Sequence, residues 1–191
     1  GEYYSHYSDL LYVDALTQVY NRRFYEELMK NSKKTAGVAM LDIDDFKLYN
    51  DVYGHDVGDS AIRTVARVAK ECLKSSDYII RYGGDEFVLV LPDISAAEFA
   101  STLKQICNKV HESIIGGYQH LTLSVSIGGV LLQDETVAEA LQRADKLMYH
   151  AKLRKNIVIT ESTPHESGIL NNEKKKNVLI VDDSEMNRFL L

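Results

Sequence analysis

The sequence has no tryptophan, only two cysteines and two prolines, and no surplus of basic residues. The two cysteines, Cys72 and Cys107, are too few for a disulfide scaffold, and they lack the Cys-x-x-Cys spacing of a redox or metal motif. The net charge of −6 argues against a dedicated nucleic-acid-binding protein, because such proteins usually carry a basic surface. No apolar run is long enough to span a membrane, and no signal-peptide pattern is found. We therefore expect a cytoplasmic protein that contacts neither nucleic acid nor membrane.

The order of apolar segments predicts an α+β fold with a mixed sheet covered by helices. Short apolar runs typical of strands lie at residues 37–43, 77–82, 87–91, 121–127 and 156–160. Helical spacing is found in the first dozen residues, over 22–30 and beyond residue 60. Two more helices are expected where Ser95-x-x-Glu98 and Thr136-x-x-Glu139 have capping-box spacing. Residues 53–58 are interpreted as a loop, and the polar residues 161–176 as a linker.

Two acidic segments are the strongest sign of chemistry in the sequence. The run Asp42-Ile-Asp-Asp45 ends the first predicted strand, and Asp85-Glu86 follows Gly83-Gly84 in a predicted hairpin turn. Glycines in such a turn tolerate positive φ and admit close approach of a ligand to the backbone. If the two strands are neighbours, their carboxylates meet at one edge of the sheet and suit Mg²⁺ together with substrate phosphates. The alternative is a set of solvated turn carboxylates, since aspartate is common in turns.

Five segments, in order along residues 14–160, carry a resemblance to a known family. They are Asp14-Ala-Leu-Thr17 with Asn21-Arg-Arg23, Leu41-Asp-Ile-Asp-Asp-Phe-Lys47 with Asn50-Asp51 and Gly54-His-x-x-Gly-Asp59, Arg81-Tyr-Gly-Gly-Asp-Glu-Phe87, Ser126-Ile-Gly-Gly129, and Ala144-Asp145 with Tyr149-x-Ala-Lys152. Together they resemble the GGDEF family of bacterial diguanylate cyclases. One motif can agree by chance, but five in the right order are highly specific.

This resemblance implies a nucleotidyl-cyclase, polymerase-palm-like (ferredoxin-like) fold whose mixed, mainly antiparallel sheet is flanked by helices. It implies a transferase, a diguanylate cyclase that condenses two GTP into cyclic di-GMP and two pyrophosphates in bacterial second-messenger signalling. Each subunit of a homodimer would hold one GTP, with two Mg²⁺ (or Mn²⁺) ions per active site. The alternative is a catalytically weak or inactive GGDEF module that binds GTP or cyclic di-GMP as a sensor or scaffold. The acidic residues of the motifs, which degenerate sensors commonly lose, are intact here and argue against that alternative.

The resemblance also implies roles for individual residues. Asp85 matches the position that accepts the proton of the attacking 3′-hydroxyl, and Asp85 and Glu86 are the implied catalytic pair. The implied metal-binding set is Asp42, the backbone carbonyl of Ile43, Asp85 and Glu86. The implied substrate-binding set is Phe46, Lys47, Asn50, His55, Asp59, Lys152 and Lys155, in which Asn50 and Asp59 match guanine-binding positions and Lys47 and Lys152 match phosphate-contacting ones.

Several of these positions also have a structural interpretation. Asp59 suits the N-cap of a helix that begins at Ser60, because aspartate is among the best N-caps. His55 suits a loop histidine with no ligand, and Phe46 suits the hydrophobic core. The pair Arg22-Arg23 is interpreted either as an exposed first helical turn or as ion-pair partners of Asp14 or the acidic loop.

The chain departs from the family pattern at three places. Lys74-Ser-Ser-Asp77 replaces the Arg-x-x-Asp motif of members inhibited by their product, and lysine lacks the planar fork of arginine. We therefore predict a degenerate inhibitory site at Lys74 and Asp77, with weak or absent inhibition by cyclic di-GMP. The segment after Lys152 is one residue short and lacks a glycine, so either Lys155 or Arg154 replaces a phosphate-contacting arginine. Gln18 stands where a glycine is usual, with an expected local effect.

The two ends of the chain are expected to belong to other parts of a longer protein. Residues 1–13 are interpreted as the end of a signalling helix, and the first residue is Gly1 rather than methionine. The segment Val178-Leu-Ile-Val-Asp-Asp183 resembles the first strand and acidic pair of a response-regulator receiver domain. Residues 177–191 are too short for a working receiver, so phosphorelay partners would act through a receiver region beyond Leu191.

Overall fold

Five strands form one sheet in the computed structural model, which describes residues 10–161. The strands are β1 (Ala36–Ile43), β2 (Tyr78–Arg81), β3 (Glu86–Pro92), β4 (Val125–Leu131) and β5 (Ile157–Thr160). Their order across the sheet is β2-β3-β1-β4-β5, with β4 and β5 parallel and the other neighbours antiparallel. The predicted α+β class with a mixed, mainly antiparallel sheet is confirmed.

Helices cover both faces of this sheet and enclose two separate hydrophobic cores. They are α1 (Arg22–Phe24), which continues as a π-helical turn (Tyr25–Met29), α2 (Phe46–Tyr53), α3 (His55–Cys72), α4 (Ala96–Glu112) and α5 (Val137–Arg154). The core on one face is built with α3 and α4, and the core on the other with the π-helical turn and α5. Because side chains alternate along a strand, Leu41 of β1 joins the first core and Met40 the second.

The close packing of α5 on the sheet depends on Gly128 of β4. A Cβ atom at this position would lie 2.2 Å from the backbone oxygen of Ala144 and from the backbone nitrogen of Met148. Only glycine therefore lets the backbone of α5 approach the strand so closely. This contact fixes the height of α5 over the sheet, and with it the place of Lys152 in the last turn of that helix.

Four local expectations are wrong. The predicted loop at 53–58 is helical apart from Gly54, which separates α2 from α3 with φ of 89°. Since α3 begins at His55, Asp59 lies inside a helix and is not its N-cap. The strand expected at 121–127 is instead β4, which starts at Val125. Gly83 and Gly84 do not need positive φ, which the described glycines adopt only at Gly54 and Gly117.

Two departures from the family pattern coincide with left-handed backbone. Gln18 has φ of 60°, and Lys155 and Asn156 have φ of 59° and 50°. Glycine adopts such angles at no steric cost, which explains why a glycine is usual at or near these places. This chain has non-glycine residues at these places, where positive φ is uncommon for them.

Other expectations concern the ends and the helix caps. Thr136 and Glu139 form a complete capping box, whereas Ser95 caps its helix and the Glu98 carboxylate pairs with Lys74 instead. Within 10–161, no helix is both long and apolar enough to cross a membrane. Of the expected first helix only residues 10–12 are described, and they are helical. Most of the predicted linker and all of the receiver-like segment lie outside the described residues.

Candidate active site

The two acidic segments meet where β1 and β3 end side by side. Asp42 is the cross-strand partner of Glu86, and the backbone N–H of Ile43 donates to the carbonyl oxygen of Asp85 at 3.2 Å. Antiparallel pairing thus brings together residues that lie more than 40 positions apart in the sequence. The predicted metal-binding residues all lie at this one edge of the sheet.

Asp42 is a buried carboxylate that forms an ion pair with the side chain of Lys152. The residue is 8% exposed, and its Oδ2 lies 2.9 Å from Nζ of Lys152. Its Oδ1 is buried and has no hydrogen-bond partner among the described residues. The pKa of the Asp42 carboxyl is raised from 3.8 to about 7, mainly because the group is buried. The hydrogen bond from Lys152 opposes this increase, and the nearby Asp85 charge adds to it. A carboxylate in this state is poised to accept a cation.

Glu86 stands in an acidic setting on the same edge. The pKa of its carboxyl is raised, mainly by burial and also by the charges of Asp85 and Asp145. The charges of Lys152 and Arg22 lower this pKa, but by less. Glu86 and Asp145 also line a cavity of about 340 Å³ between the π-helical turn and α5. Asp145 lies in the last of the five family motifs, and the resemblance implied no role for it. Its distance of 59 positions from Glu86 hid their proximity.

The Gly83-Gly84 turn is held by the side chain of Arg81. Its Nε and Nη2 donate to the carbonyl oxygen of Gly84 at 3.1 and 2.8 Å, and its Nη1 pairs with Asp14 at 3.3 Å. Asp14 is therefore bound by Arg81, not by Arg22 or Arg23 as one interpretation had it. A Cβ atom placed on Gly84 would meet no atom within 4 Å, so this side of the turn is open to a ligand.

Asp44 and Asp45 do not share the surroundings of Asp42. Asp44 is 3% exposed and accepts hydrogen bonds from Ser124 Oγ and Ser126 Oγ, both at 2.6 Å, and from the Asn156 backbone N–H at 2.9 Å. Asp45 is exposed and lies 2.9 Å from Nζ of Lys155. These two carboxylates are engaged with the protein and are not part of the open edge.

The donor set fits a divalent cation that is shared with a substrate. Within residues 10–161, no three side chains of His, Cys, Asp or Glu are grouped closely enough to form a metal site alone. Mg²⁺ is commonly bound by one or two carboxylates, with water and substrate phosphates completing the shell. The unpartnered Oδ1 of Asp42, beside Asp85 and Glu86, meets that requirement with hard oxygen ligands.

The predicted guanine-binding residues lie on α2 and α3, on either side of Gly54. The side chain of Asn50 rests on Gly58, where a Cβ atom would lie 1.9 Å from Asn50 Oδ1 and 3.4 Å from Cζ of Phe46. Phe46 is partly buried against the core, as its structural interpretation expected. Gly58 is thus the residue that brings Asn50 and Phe46 together beside Asp59, a role the sequence analysis did not assign.

Two of the predicted substrate-binding residues lie apart from these contacts. Lys47 is exposed on α2, and His55 is exposed at the first position of α3. Their substrate-binding roles therefore remain predictions from the resemblance.

Comparison with known proteins decides the family. A family model described as "Diguanylate cyclase, GGDEF domain" matches residues 11–156. The chain belongs to the GGDEF family. Diguanylate cyclase DosC of Escherichia coli (strain K12) is 36% identical over 152 residues, which cover 74% of this chain and 33% of that protein. Response regulator PleD of Caulobacter vibrioides is 32% identical over 159 residues, which cover 77% of this chain and 35% of that protein. The chain thus spans about a third of the length of these curated relatives.

A solved structure shows the same fold. The coiled coil and GGDEF domain of DgcB from Caulobacter crescentus, in complex with c-di-GMP, has a TM-score of 0.75 at 30% identity. The alignment covers 83% of this chain and 90% of that one. The palm-like arrangement expected from the resemblance is therefore the fold of this GGDEF domain.

The predicted inhibitory site of this GGDEF domain has its own geometry. Lys74 and Asp77 line a cavity of about 440 Å³, and Asp77 Oδ2 accepts from the Lys74 backbone N–H at 2.7 Å. The Lys74 ammonium lies 2.9 Å from Glu98 of α4 and is not directed at Asp77. The degenerate character of this site stays a prediction, and the Lys74–Glu98 pair agrees with it.

Proposed function

We propose that this GGDEF domain is a diguanylate cyclase that condenses two GTP molecules into cyclic di-GMP and two pyrophosphates. One observation carries the proposal: Asp42 is a buried carboxylate with an unpartnered oxygen, next to Asp85, Glu86 and Lys152. A buried carboxylate oxygen without a hydrogen-bond donor is costly for a fold, and this points to a ligand at Oδ1 of Asp42. The intact acidic set favours an enzyme over a sensor that only binds nucleotide.

Asp42, the carbonyl of Ile43, Asp85 and Glu86 would hold two Mg²⁺ or Mn²⁺ ions. When bound, such ions neutralise the triphosphate charge and stabilise the attacking and leaving oxygens of an in-line displacement. Asp85 accepts the proton as the 3′-oxygen of one GTP attacks the α-phosphorus of the other, and the bond to pyrophosphate breaks. The step occurs twice to close the ring.

The remaining side chains bind and orient GTP. Lys152, in the last turn of α5, neutralises phosphate charge near Asp42, and Lys155 is the candidate for the terminal phosphate once it exchanges its Asp45 partner. The Asn50 amide would donate to and accept from the guanine edge, and the Asp59 carboxylate would accept from it. A carboxylate facing the guanine N1–H and amino group discriminates against adenine, because adenine would leave that carboxylate unpaired.

Each subunit holds one GTP, so turnover requires a homodimer with facing sites. Specific activity is then expected to rise with protein concentration until the dimer is saturated. A specific activity that stays constant on dilution, with the protein monomeric throughout, would contradict the shared site.

The test is incubation of the protein with GTP and Mg²⁺, followed by chromatography for cyclic di-GMP. Asp85→Asn should abolish product, on the order of a hundredfold or more, because it removes the proton acceptor. The matched control is Asp93→Asn, since Asp93 follows β3 at its opposite end and is exposed. Absence of product from a dimeric, GTP-bound sample would overturn the proposal in favour of a nucleotide-binding module.

The same assay measures product inhibition. We expect activity to be largely insensitive to added cyclic di-GMP, because the Lys74 ammonium pairs with Glu98 and has no guanidinium fork. Lys74→Arg should introduce inhibition, whereas Lys104→Arg, at an exposed position of α4 that does not line this cavity, should not. Strong inhibition of the unmodified protein that Lys74→Ala relieves would contradict this expectation.

A further inference from the structure

Arg22 and Arg23 occupy nearly equivalent positions on α1. Each forms an ion pair with the glutamate four residues later, Arg22 with Glu26 at 3.0 Å and Arg23 with Glu27 at 2.8 Å. Their side chains are also similarly exposed, at 50% and 55%. On the basis of these ion pairs alone, Arg22 and Arg23 are expected to contribute equally to the stability of the helix.

Only Arg22 also reaches the turn of the active site. Its Nη1 donates to the carbonyl oxygen of Tyr82 at 3.0 Å, and its Cζ lies 3.6 Å from the centroid of the Tyr82 ring. The guanidinium is thus bound to the backbone and stacked on the side chain of one residue. A planar guanidinium suits this double contact, which a lysine ammonium cannot reproduce.

The ring of Tyr82 is also contacted by a residue of the π-helical turn. The ring of Tyr25, which is buried, meets the Tyr82 ring edge-on, with centroids 5.0 Å apart and planes at 87°. Arg22 and Tyr25 are one turn apart on the same helical segment. That segment therefore holds the Tyr82 ring through an aromatic edge and a cation.

These contacts matter because Tyr82 is the residue directly before the Gly83-Gly84-Asp85-Glu86 turn. The backbone N–H groups of Tyr82 and Gly83 both donate to the carbonyl oxygen of Glu86, at 2.8 and 3.3 Å. The two glycines have no side chain with which to anchor the turn from within. The turn is held from outside, by Arg81 at Gly84 and by Arg22 at Tyr82.

We propose that Arg22 is a positioning residue that holds the Gly83–Glu86 turn in the geometry in which Asp85 and Glu86 act. It does so without touching the reacting atoms. The catalytic part of this inference rests on the proposed cyclase activity, whereas the structural part does not. The two parts can therefore be tested separately on the same full chain.

The structural part is tested by amide hydrogen exchange, followed by mass spectrometry of peptides that span residues 80–88. Arg22→Ala should speed exchange of these amides about tenfold, because local opening of the turn becomes easier. Arg23→Ala, which loses an equivalent ion pair, should leave the same peptides unchanged. Arg22→Lys should have an intermediate effect. In the background of Tyr82→Ala, Arg22→Ala should add little, since contacts that act as a unit are not additive.

The catalytic part is tested by steady-state kinetics on the same variants. Arg22→Ala should lower kcat about tenfold or more while KM for GTP changes less than threefold, because misplaced catalytic groups affect the transition state rather than binding. Arg23→Ala should retain kcat within twofold.

The outcomes separate the two proposals. Equal exchange in the Arg22→Ala and Arg23→Ala proteins would overturn the positioning role. Faster exchange in Arg22→Ala with unchanged kcat would overturn its catalytic importance. If the unmodified protein makes no cyclic di-GMP, the proposed function fails, and the exchange data alone decide whether Arg22 holds the turn.

Discussion

Asp42 and Asp44 lie two residues apart at the end of β1, and they meet opposite surroundings. Both are buried, but Asp44 accepts three hydrogen bonds from the segment around β4 and from the start of β5, whereas Asp42 has Lys152 on one oxygen and no hydrogen-bond partner within residues 10–161 on the other. Asp44 is satisfied by the protein itself. Asp42 keeps one oxygen without a donor among the described residues, as expected for a residue that binds a ligand.

The difference between the two carboxylates has a geometrical origin. Ser126 is the cross-strand partner of Asp42, yet its hydroxyl donates to Asp44. The hydroxyl of Ser126 therefore donates to Asp44 and not to Asp42, its cross-strand partner. The comparison indicates that hydrogen bonds from the segments around β4 and β5 satisfy Asp44, whereas one oxygen of Asp42 has no donor among the described residues.

The largest expected effect comes from removing Asp44. Asp44→Ala leaves two hydroxyls and a backbone N–H without their acceptor, each at a cost of about 1–3 kcal/mol when buried. We expect a loss of about 4 kcal/mol in the free energy of unfolding, measured with urea. Asp45→Ala, which removes an exposed ion pair next to it, should cost less than about 1 kcal/mol. Equal losses in the two variants would contradict the structural role of Asp44.

Asp42→Asn is expected to have the opposite sign. Because the folded-state pKa of Asp42 is raised to about 7, the folded protein binds a proton more tightly than the unfolded one. In metal-free protein, this carboxyl therefore lowers stability progressively as the pH rises from about 4 to about 7. Asparagine removes that loss but also the charge partner of Lys152, so we expect a net gain of about 2 kcal/mol at pH 8.

The control for this prediction is the same comparison at pH 4, where Asp42 is protonated in the folded state. There the two proteins should differ by much less. A stability difference that is the same at pH 4 and pH 8 would mean that burial of the Asp42 charge is not its cause.

Addition of Mg²⁺ should sharpen the contrast. Binding to the folded state alone stabilises it, by about 1.4 kcal/mol at a ten-fold excess of free ion over Kd. We expect Mg²⁺ to raise the Tm of the unmodified protein and to leave that of Asp42→Asn unchanged. Equal shifts in both proteins would show that the ion acts elsewhere. Ca²⁺ and Na⁺ at matched ionic strength separate specific binding from general screening.

Much of this site could be predicted from the sequence. The run from Gly37 to Ile43 is apolar apart from Asp42, as expected for a strand buried on both faces, and β1 is such a strand. The acidic segments and the Gly-Gly turn are local patterns, so their meeting at one edge follows once β1 and β3 are neighbours. The resemblance to the GGDEF family also predicted a palm-like fold with a mixed, mainly antiparallel sheet flanked by helices.

The distinction between Asp42 and Asp44 could not be predicted, because it depends on distant donors. The groups that bind Asp44 lie 80, 82 and 112 positions further along the chain. The same limit applies to Arg22, whose partner Tyr82 is 60 positions away. The α2 helix was missed for a different reason, since it is short and is followed at once by Gly54 and a second helix.

The smallest expected effects come from the two serines that bind Asp44, and they test the comparison most finely. Within residues 10–161, Oδ1 of Asp44 accepts a hydrogen bond from Ser126 alone, whereas Oδ2 accepts from Ser124 and from the Asn156 backbone N–H. Ser126→Ala should therefore cost about 1 kcal/mol and Ser124→Ala about half as much. Ser126 is fully buried, so water cannot easily replace its hydroxyl.

In the Ser126→Ala protein the carboxylate of Asp44 resembles that of Asp42, because one of its oxygens keeps its donors and the other loses its donor. If an orphaned oxygen is what attracts a cation, Mg²⁺ should stabilise Ser126→Ala by more than it stabilises the unmodified protein, and it should stabilise Ser124→Ala by no more than the unmodified protein. Urea unfolding with and without Mg²⁺ measures this difference. If Mg²⁺ acts alike on both variants, an unpartnered oxygen is not sufficient, and the open turn beside Asp42 is the part of the site that selects the ion.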